Sequence, residues 1–301
     1  MIANEIKSLK SSRVAALAEV LIAFVLTHVS YRALKYFTPI GAWEAAARTS
    51  FTSGGVWILW TIVVLLLFRR DASDYGLGLA SWRPRLSIGV VCCVLMLIWE
   101  CGALAATGVQ VDFSKPPDPH AHMPIWRALQ LAIVALPAFV IILVLIRKNL
   151  AFAGRLPLAA SLPILVVLFC FMPLLAMYLN RPSMWVRAFW MFFGAGFGEE
   201  IFFRGYIQSR MDQAFGRPWR SFGFEVGWGL VVSSLLFGLV HALNTVDYFH
   251  GRFDWGWWFG AQSVCVGSFF GLCRTRTGSV LPGSVIHGIG DCFARIPNLM
   301  S

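Results

Sequence analysis

Nine stretches of predominantly apolar residues recur along the chain, each close to the length that crosses a bilayer. A spanning helix needs about 20 such residues. The candidates are residues 14–31, 51–68, 86–106, 128–146, 158–179, 184–207, 226–243, 257–273 and 279–296. In hydrocarbon, a spanning segment must satisfy its own backbone N–H and C=O groups, which leaves helices or closed barrels. Runs of this length predict helices. Composition agrees, with 58% hydrophobic and 13% charged residues, against about 25% charged in a soluble domain. The expected fold is therefore all-α: a polytopic transmembrane helical bundle of about eight or nine spans. The expected location is an integral, multi-pass one, in the cell (inner) membrane if the source is bacterial. The first span does not read as a cleavable signal, because bulky Tyr31–Lys35 follows it and no small-residue cleavage site does.

The net charge of +10 comes from 25 basic against 15 acidic residues. Most basic residues lie in short loops between apolar runs, where they orient helices and meet anionic lipid. That placement favours a cytoplasmic N-terminus and a lipid bilayer as partner, with no nucleic acid. Seven cysteines are present. Their number is odd, no C-x-x-C occurs, and Cys92, Cys93, Cys101, Cys170 and Cys265 fall inside apolar runs, so neither a disulfide framework nor a thiolate metal site is expected. The run Lys115-Pro116-Pro117-Asp118-Pro119-His120 predicts a stiff extended loop outside the bilayer core.

Ionisable side chains at membrane depth are costly and are functional candidates. In the first five spans they are sparse: Glu19, His28 and Glu100 stand apart in sequence and read as snorkelling or singly hydrogen-bonded groups. In the last four spans they cluster. The chain therefore divides near residue 180, into N-terminal membrane helices of unassigned role (1–180) and a catalytic helical core (181–301).

Three clusters carry the chemistry. In Gly198-Glu199-Glu200-Ile201-Phe202-Phe203-Arg204-Gly205, Glu200 and Arg204 lie four apart on one helical face and can neutralise each other. Glu199 points about 100° away and lacks that partner, which suits a general base. In Phe237-Gly238-Leu239-Val240-His241-Ala242-Leu243-Asn244, Phe237 and His241 share a face. In His287-Gly288-Ile289-Gly290-Asp291, the carboxylate at the fourth position can bond the ring or stand beside it. Gly267-Ser268-Phe269-Phe270-Gly271 offers a small-residue face for close helix approach, and Thr277-Gly278-Ser279-Val280-Leu281-Pro282 opens the last helix with a turn.

In this order and spacing the clusters resemble the CPBP family of intramembrane glutamic endopeptidases, which includes the type II CAAX prenyl proteases and bacteriocin-processing or self-immunity (Abi) proteins. The family pattern is E-E-x-x-x-R, F-x-x-x-H and H-x-x-x-N/D, met here by Glu199-Glu200…Arg204, Phe237…His241 and His287…Asp291. The resemblance covers roughly residues 184–296. It implies that Glu199 and His241 activate a water, that His287 and Asp291 hold the oxyanion, and that Glu200 and Arg204 are a structural pair. Phe237 and Asn244 are supporting residues of the same motif. Asp291 stands where the prenyl proteases usually have Asn, so it must be protonated or must orient His287.

The expected activity is hydrolysis of a peptide bond in a membrane-associated protein or peptide, with no metal or other cofactor. One alternative is a zinc peptidase using His241, His287 and a carboxylate. Against it, no H-E-x-x-H occurs. Another is a non-catalytic scaffold or immunity protein of the same fold. A scaffold has no need of Glu199, His241 and His287.

Overall fold

The computed structural model describes residues 13–47, 49–78, 82–107, 183–221 and 224–294. The described chain is mostly helical. Helix α1 spans Arg13–Phe37, α2 Pro39–Ala47, α3 Phe51–Leu67 and α4 Trp82–Thr107. An α-helical turn at Ser183–Phe189, π-wound segments at Trp190–Phe197 and Glu200–Gln208, and a last stretch at Ser209–Phe215 run on as one rod, α5 (183–215). A short antiparallel hairpin, β1 (Trp219–Ser221) and β2 (Phe224–Val226), follows. Then come α6 (Trp228–Ala242), α7 (Trp257–Thr277) and α8 (Leu281–Ala294).

The rod α5 organises the bundle. Its first half (Ala188, Trp190, Met191, Phe192, Ala195) shares a core with α4, α7 and α8. Its second half (Phe202, Phe203, Tyr206, Ile207, Met211) shares a separate core with α1, α3 and α6. Glu199 falls at the junction between the two. The helices approach closely because glycines meet at the crossings. A Cβ on Gly196 would lie 2.5 Å from Gly288 Cα, and one on Gly271 would run into Leu230 and Gln208. The small-residue face of α7 thus packs on α5 and α6. At the end of α7, Gly278 adopts a left-handed conformation (φ 68°) and its N–H bonds Arg274 O at 2.9 Å, a glycine C-cap. Ser279 Oγ then accepts the Leu281 N–H at 3.2 Å and starts α8.

The outward faces carry many large apolar side chains. Ile22, Val25, Val29, Leu59, Leu66 and Leu67 are all exposed, which suits contact with lipid rather than water. Helices Arg13–Phe37 and Trp228–Thr245 are long and apolar enough to cross a membrane by length and composition, and Phe51–Leu67 is a shorter apolar helix. The expectation of eight or nine spans thus has two clear spans behind it among the described residues. The expected spans at 128–146 and 158–179, the proline loop at 115–120, Cys170 and the side chains of Glu100 and Cys101 lie outside the described residues.

Two readings need correction. Glu19 is neither snorkelling nor singly bonded. It accepts hydrogen bonds from both terminal guanidinium nitrogens of Arg70, from Arg210 Nε at 3.0 Å and from the Tyr206 hydroxyl at 2.8 Å. His28 lies between Tyr31 and Tyr248, 3.1 Å from each hydroxyl. Apart from Tyr31, one turn from His28, the partners are distant in the chain, so local sequence gives no sign of them. Among the cysteines, Cys92, Cys93, Cys273 and Cys292 are buried, whereas Cys265 is exposed on α7.

Candidate active site

Three helices bring the ionisable clusters together. Glu199 reaches from the middle of α5, His241 from the last turn of α6, and His287 and Asp291 from α8. Glu199 Oε2 is 3.8 Å from His241 Nε2 and 3.8 Å from His287 Nε2. Buried Glu199 keeps Oε2 without a hydrogen-bond partner among the described residues. A buried oxygen without a partner is costly in a merely structural position and is what a reacting water or substrate could occupy.

His241 is set by its own helix. Its Nδ1 lies 2.7 Å from the Phe237 carbonyl, one turn back. A carbonyl can only accept, so Nδ1 carries the hydrogen, and in the neutral ring Nε2 presents a lone pair toward Glu199. The Phe237 ring packs between His241 (centroids 4.4 Å apart) and the Arg204 guanidinium, 4.1 Å above the ring. The F-x-x-x-H spacing therefore serves both the backbone bond and the ring contact.

His287 lies between consecutive glutamates, hydrogen-bonded to one and facing the other. Nδ1 is 3.2 Å from Glu200 Oε1 and Nε2 faces Glu199. Neighbours on a helix diverge by about 100°, so the pair can straddle one imidazole. Glu200 Oε1 also lies 3.2 Å from Arg204 NH1, with both side chains fully buried. The helical-face argument anticipates this ion pair; the second link, from Glu200 to His287, is not visible in local spacing. Phe270 stacks on the His287 ring at 4.7 Å, although in the sequence Phe270 reads only as part of a packing face.

Asp291 Oδ2 is 3.8 Å from His287 Nε2, and its side chain is 27% exposed, much more open than Glu199. Asn244 is exposed in the turn that ends α6 and lines the same cavity. The cavity measures about 470 Å³ and takes in Glu199, His241, His287 and Asp291, a size typical of small-ligand sites. One wall is apolar, with Phe259, Val266, Phe270 and Ile286; another carries Arg32 and Lys35 of α1. The two cations are residues that sequence reasoning did not single out. Among the described residues, no group of three or more His, Cys, Asp or Glu stands in metal-holding geometry.

Residues 160–293 match the sequence family described as type II CAAX prenyl endopeptidase Rce1-like. No curated protein and no solved structure gives a significant match.

Proposed function

From the premise that residues 160–293 belong to the CAAX prenyl endopeptidase family, a family of membrane-embedded proteases, we propose that this chain is a multi-pass intramembrane endopeptidase of the glutamic type. It hydrolyses a peptide bond of a membrane-associated protein or peptide without a metal.

The observation that carries this reading is the pair of acceptors at 3.8 Å, Glu199 Oε2 and His241 Nε2. Both face the cavity. A water between them donates one hydrogen to each, which turns a lone pair of its oxygen toward the substrate carbonyl. The water oxygen bonds the carbonyl carbon as its proton passes to the Glu199–His241 pair. The C–N bond then breaks, and that proton leaves with the departing amine.

The oxyanion falls to His287 and Asp291. A neutral Asp291 donates a hydrogen bond where an ionised one would repel the oxyanion. Glu200 acts through others, as a positioning residue that fixes His287 and holds Arg204.

The test is cleavage of a membrane-anchored C-a-a-X peptide by purified protein in vesicles. Wild type should release the C-terminal fragment and Glu199→Ala should not. Equal release by the two would overturn the reading.

A further inference from the structure

The cavity that holds the carboxyl groups of Glu199 and Asp291 also holds cations from α1. Lys35 is accounted for. Its Nζ lies 3.3 Å from Glu44 Oε2 and also bonds Ser50 Oγ. Arg32 has no carboxylate partner among the described residues. It gives one N–H to the Leu243 carbonyl at 2.6 Å, its Cζ sits 5.5 Å and 5.9 Å from the Tyr31 and Tyr248 ring centroids, and its buried Nε has no hydrogen-bond partner. A guanidinium held this way presents a preformed fork for a planar anion.

We propose that Arg32 receives the C-terminal carboxylate of the peptide substrate, so that the cavity measures the distance from the scissile bond to the chain end. The inference rests on the peptidase reading above.

Three features favour a peptide end. The Leu243 carbonyl that anchors Arg32 lies two residues beyond His241, so the anion site and the hydrolytic pair are tied to one helix end. The cavity volume of about 470 Å³ suits a few residues of extended chain. An incoming carboxylate would be repelled by an ionised Glu199, and Arg32, a cation lining the same cavity, offsets that repulsion.

The experiment uses two farnesylated C-a-a-X peptides that differ only in ending as a free carboxylate or as an amide. Cleavage by the purified full chain in phosphatidylcholine vesicles is measured beside binding to Glu199→Gln. The acid should be preferred by about 10- to 100-fold in kcat/KM, the usual worth of hydrogen bonds to a charged group. Arg32→Gln should bring that ratio to about 1, and Lys35→Gln should keep it. Equal handling of acid and amide by wild type overturns the proposal without recourse to any variant. So does a ratio that survives in Arg32→Gln, or a loss there that is equal on both peptides, which would make Arg32 only a helix cap. Inhibition by added phosphatidylglycerol that Arg32→Gln relieves, with no acid preference, would assign the site to a lipid phosphate and also overturn it. Acid preference in binding with no cleavage by wild type would support Arg32 and contradict the peptidase reading instead.

Discussion

His241 donates its Nδ1 hydrogen to the Phe237 carbonyl at 2.7 Å and turns Nε2 toward Glu199 Oε2, 3.8 Å away. One bond within a helix thereby sets the tautomer of a ring that faces a carboxylate on another helix. Removing the ring should remove the base: His241→Ala should lower single-turnover cleavage by about 10²–10⁴, the usual contribution of a positioned acid or base. A His241→Ala protein that cleaves at the wild-type rate would show that Glu199 works without it.

Glu200 and Arg204 form a fully buried ion pair, 3.2 Å apart. Breaking such a pair from one side strands a charge and costs about 3–5 kcal/mol. Glu200→Ala should therefore unfold in detergent at a markedly lower temperature than wild type, and should lose activity because His287 loses its Nδ1 partner. An unchanged unfolding midpoint would show that the pair contributes nothing.

This pair shows what the sequence could and could not reveal. Spacing of four on a helix suffices to put Glu200 beside Arg204 and Phe237 beside His241, because both relationships repeat within one turn. The apolar runs mark where the helices stand, with α3 and α7 beginning at the expected residues, 51 and 257. Three things escape a local reading. The π-winding of α5 changes its pitch at Trp190–Phe197 and Glu200–Gln208, and no simple residue pattern announces it. The short helix α2 and the hairpin β1–β2 lie between apolar runs. The Glu19 network and the two α1 cations at the cavity depend on contacts between residues far apart in sequence, and neither residue type nor spacing carries that information.

Phe237 separates two charged or polar neighbours, with Arg204 over its ring and His241 in contact with it. Phe237→Ala should cost about 3–5 kcal/mol, as large-to-small core changes of Phe do. Phe237→Leu keeps most of the volume but loses the cation–π contact, worth about 0.5–2 kcal/mol. Thermal unfolding should rank wild type above Leu above Ala. A Leu variant as unstable as Ala would indicate that the ring face, rather than its volume, holds the site.

Gly196 and Gly288 let α5 and α8 touch. Gly196→Ala would put a Cβ 2.5 Å from Gly288 Cα, backbone that cannot move aside without displacing α8. His287, the next residue, should shift with it, and cleavage should fall while Gly55→Ala, where nothing lies within 4 Å, should leave it unchanged. Normal kcat in Gly196→Ala would mean that the crossing does not set the site.

Asp291 distinguishes a neutral donor from a carboxylate that orients His287. As a donor it can be replaced by Asn, so Asp291→Asn should keep much of the single-turnover rate, while Asp291→Ala should lose about 10²–10³, the cost of one oxyanion donor. An Asn variant as inactive as Ala would contradict the donor role, and an Ala variant at full rate would remove Asp291 from the site.

The most direct test is single-turnover cleavage of a C-a-a-X peptide in H₂¹⁸O by chelator-treated wild type and Glu199→Gln, with the product carboxylate analysed by mass spectrometry. The account predicts one ¹⁸O in the new carboxylate of the wild-type product, an undiminished rate after chelation, and no detectable turnover by Glu199→Gln. Turnover by Glu199→Gln at the wild-type rate, or loss of wild-type activity on chelation with recovery on added zinc, would contradict it.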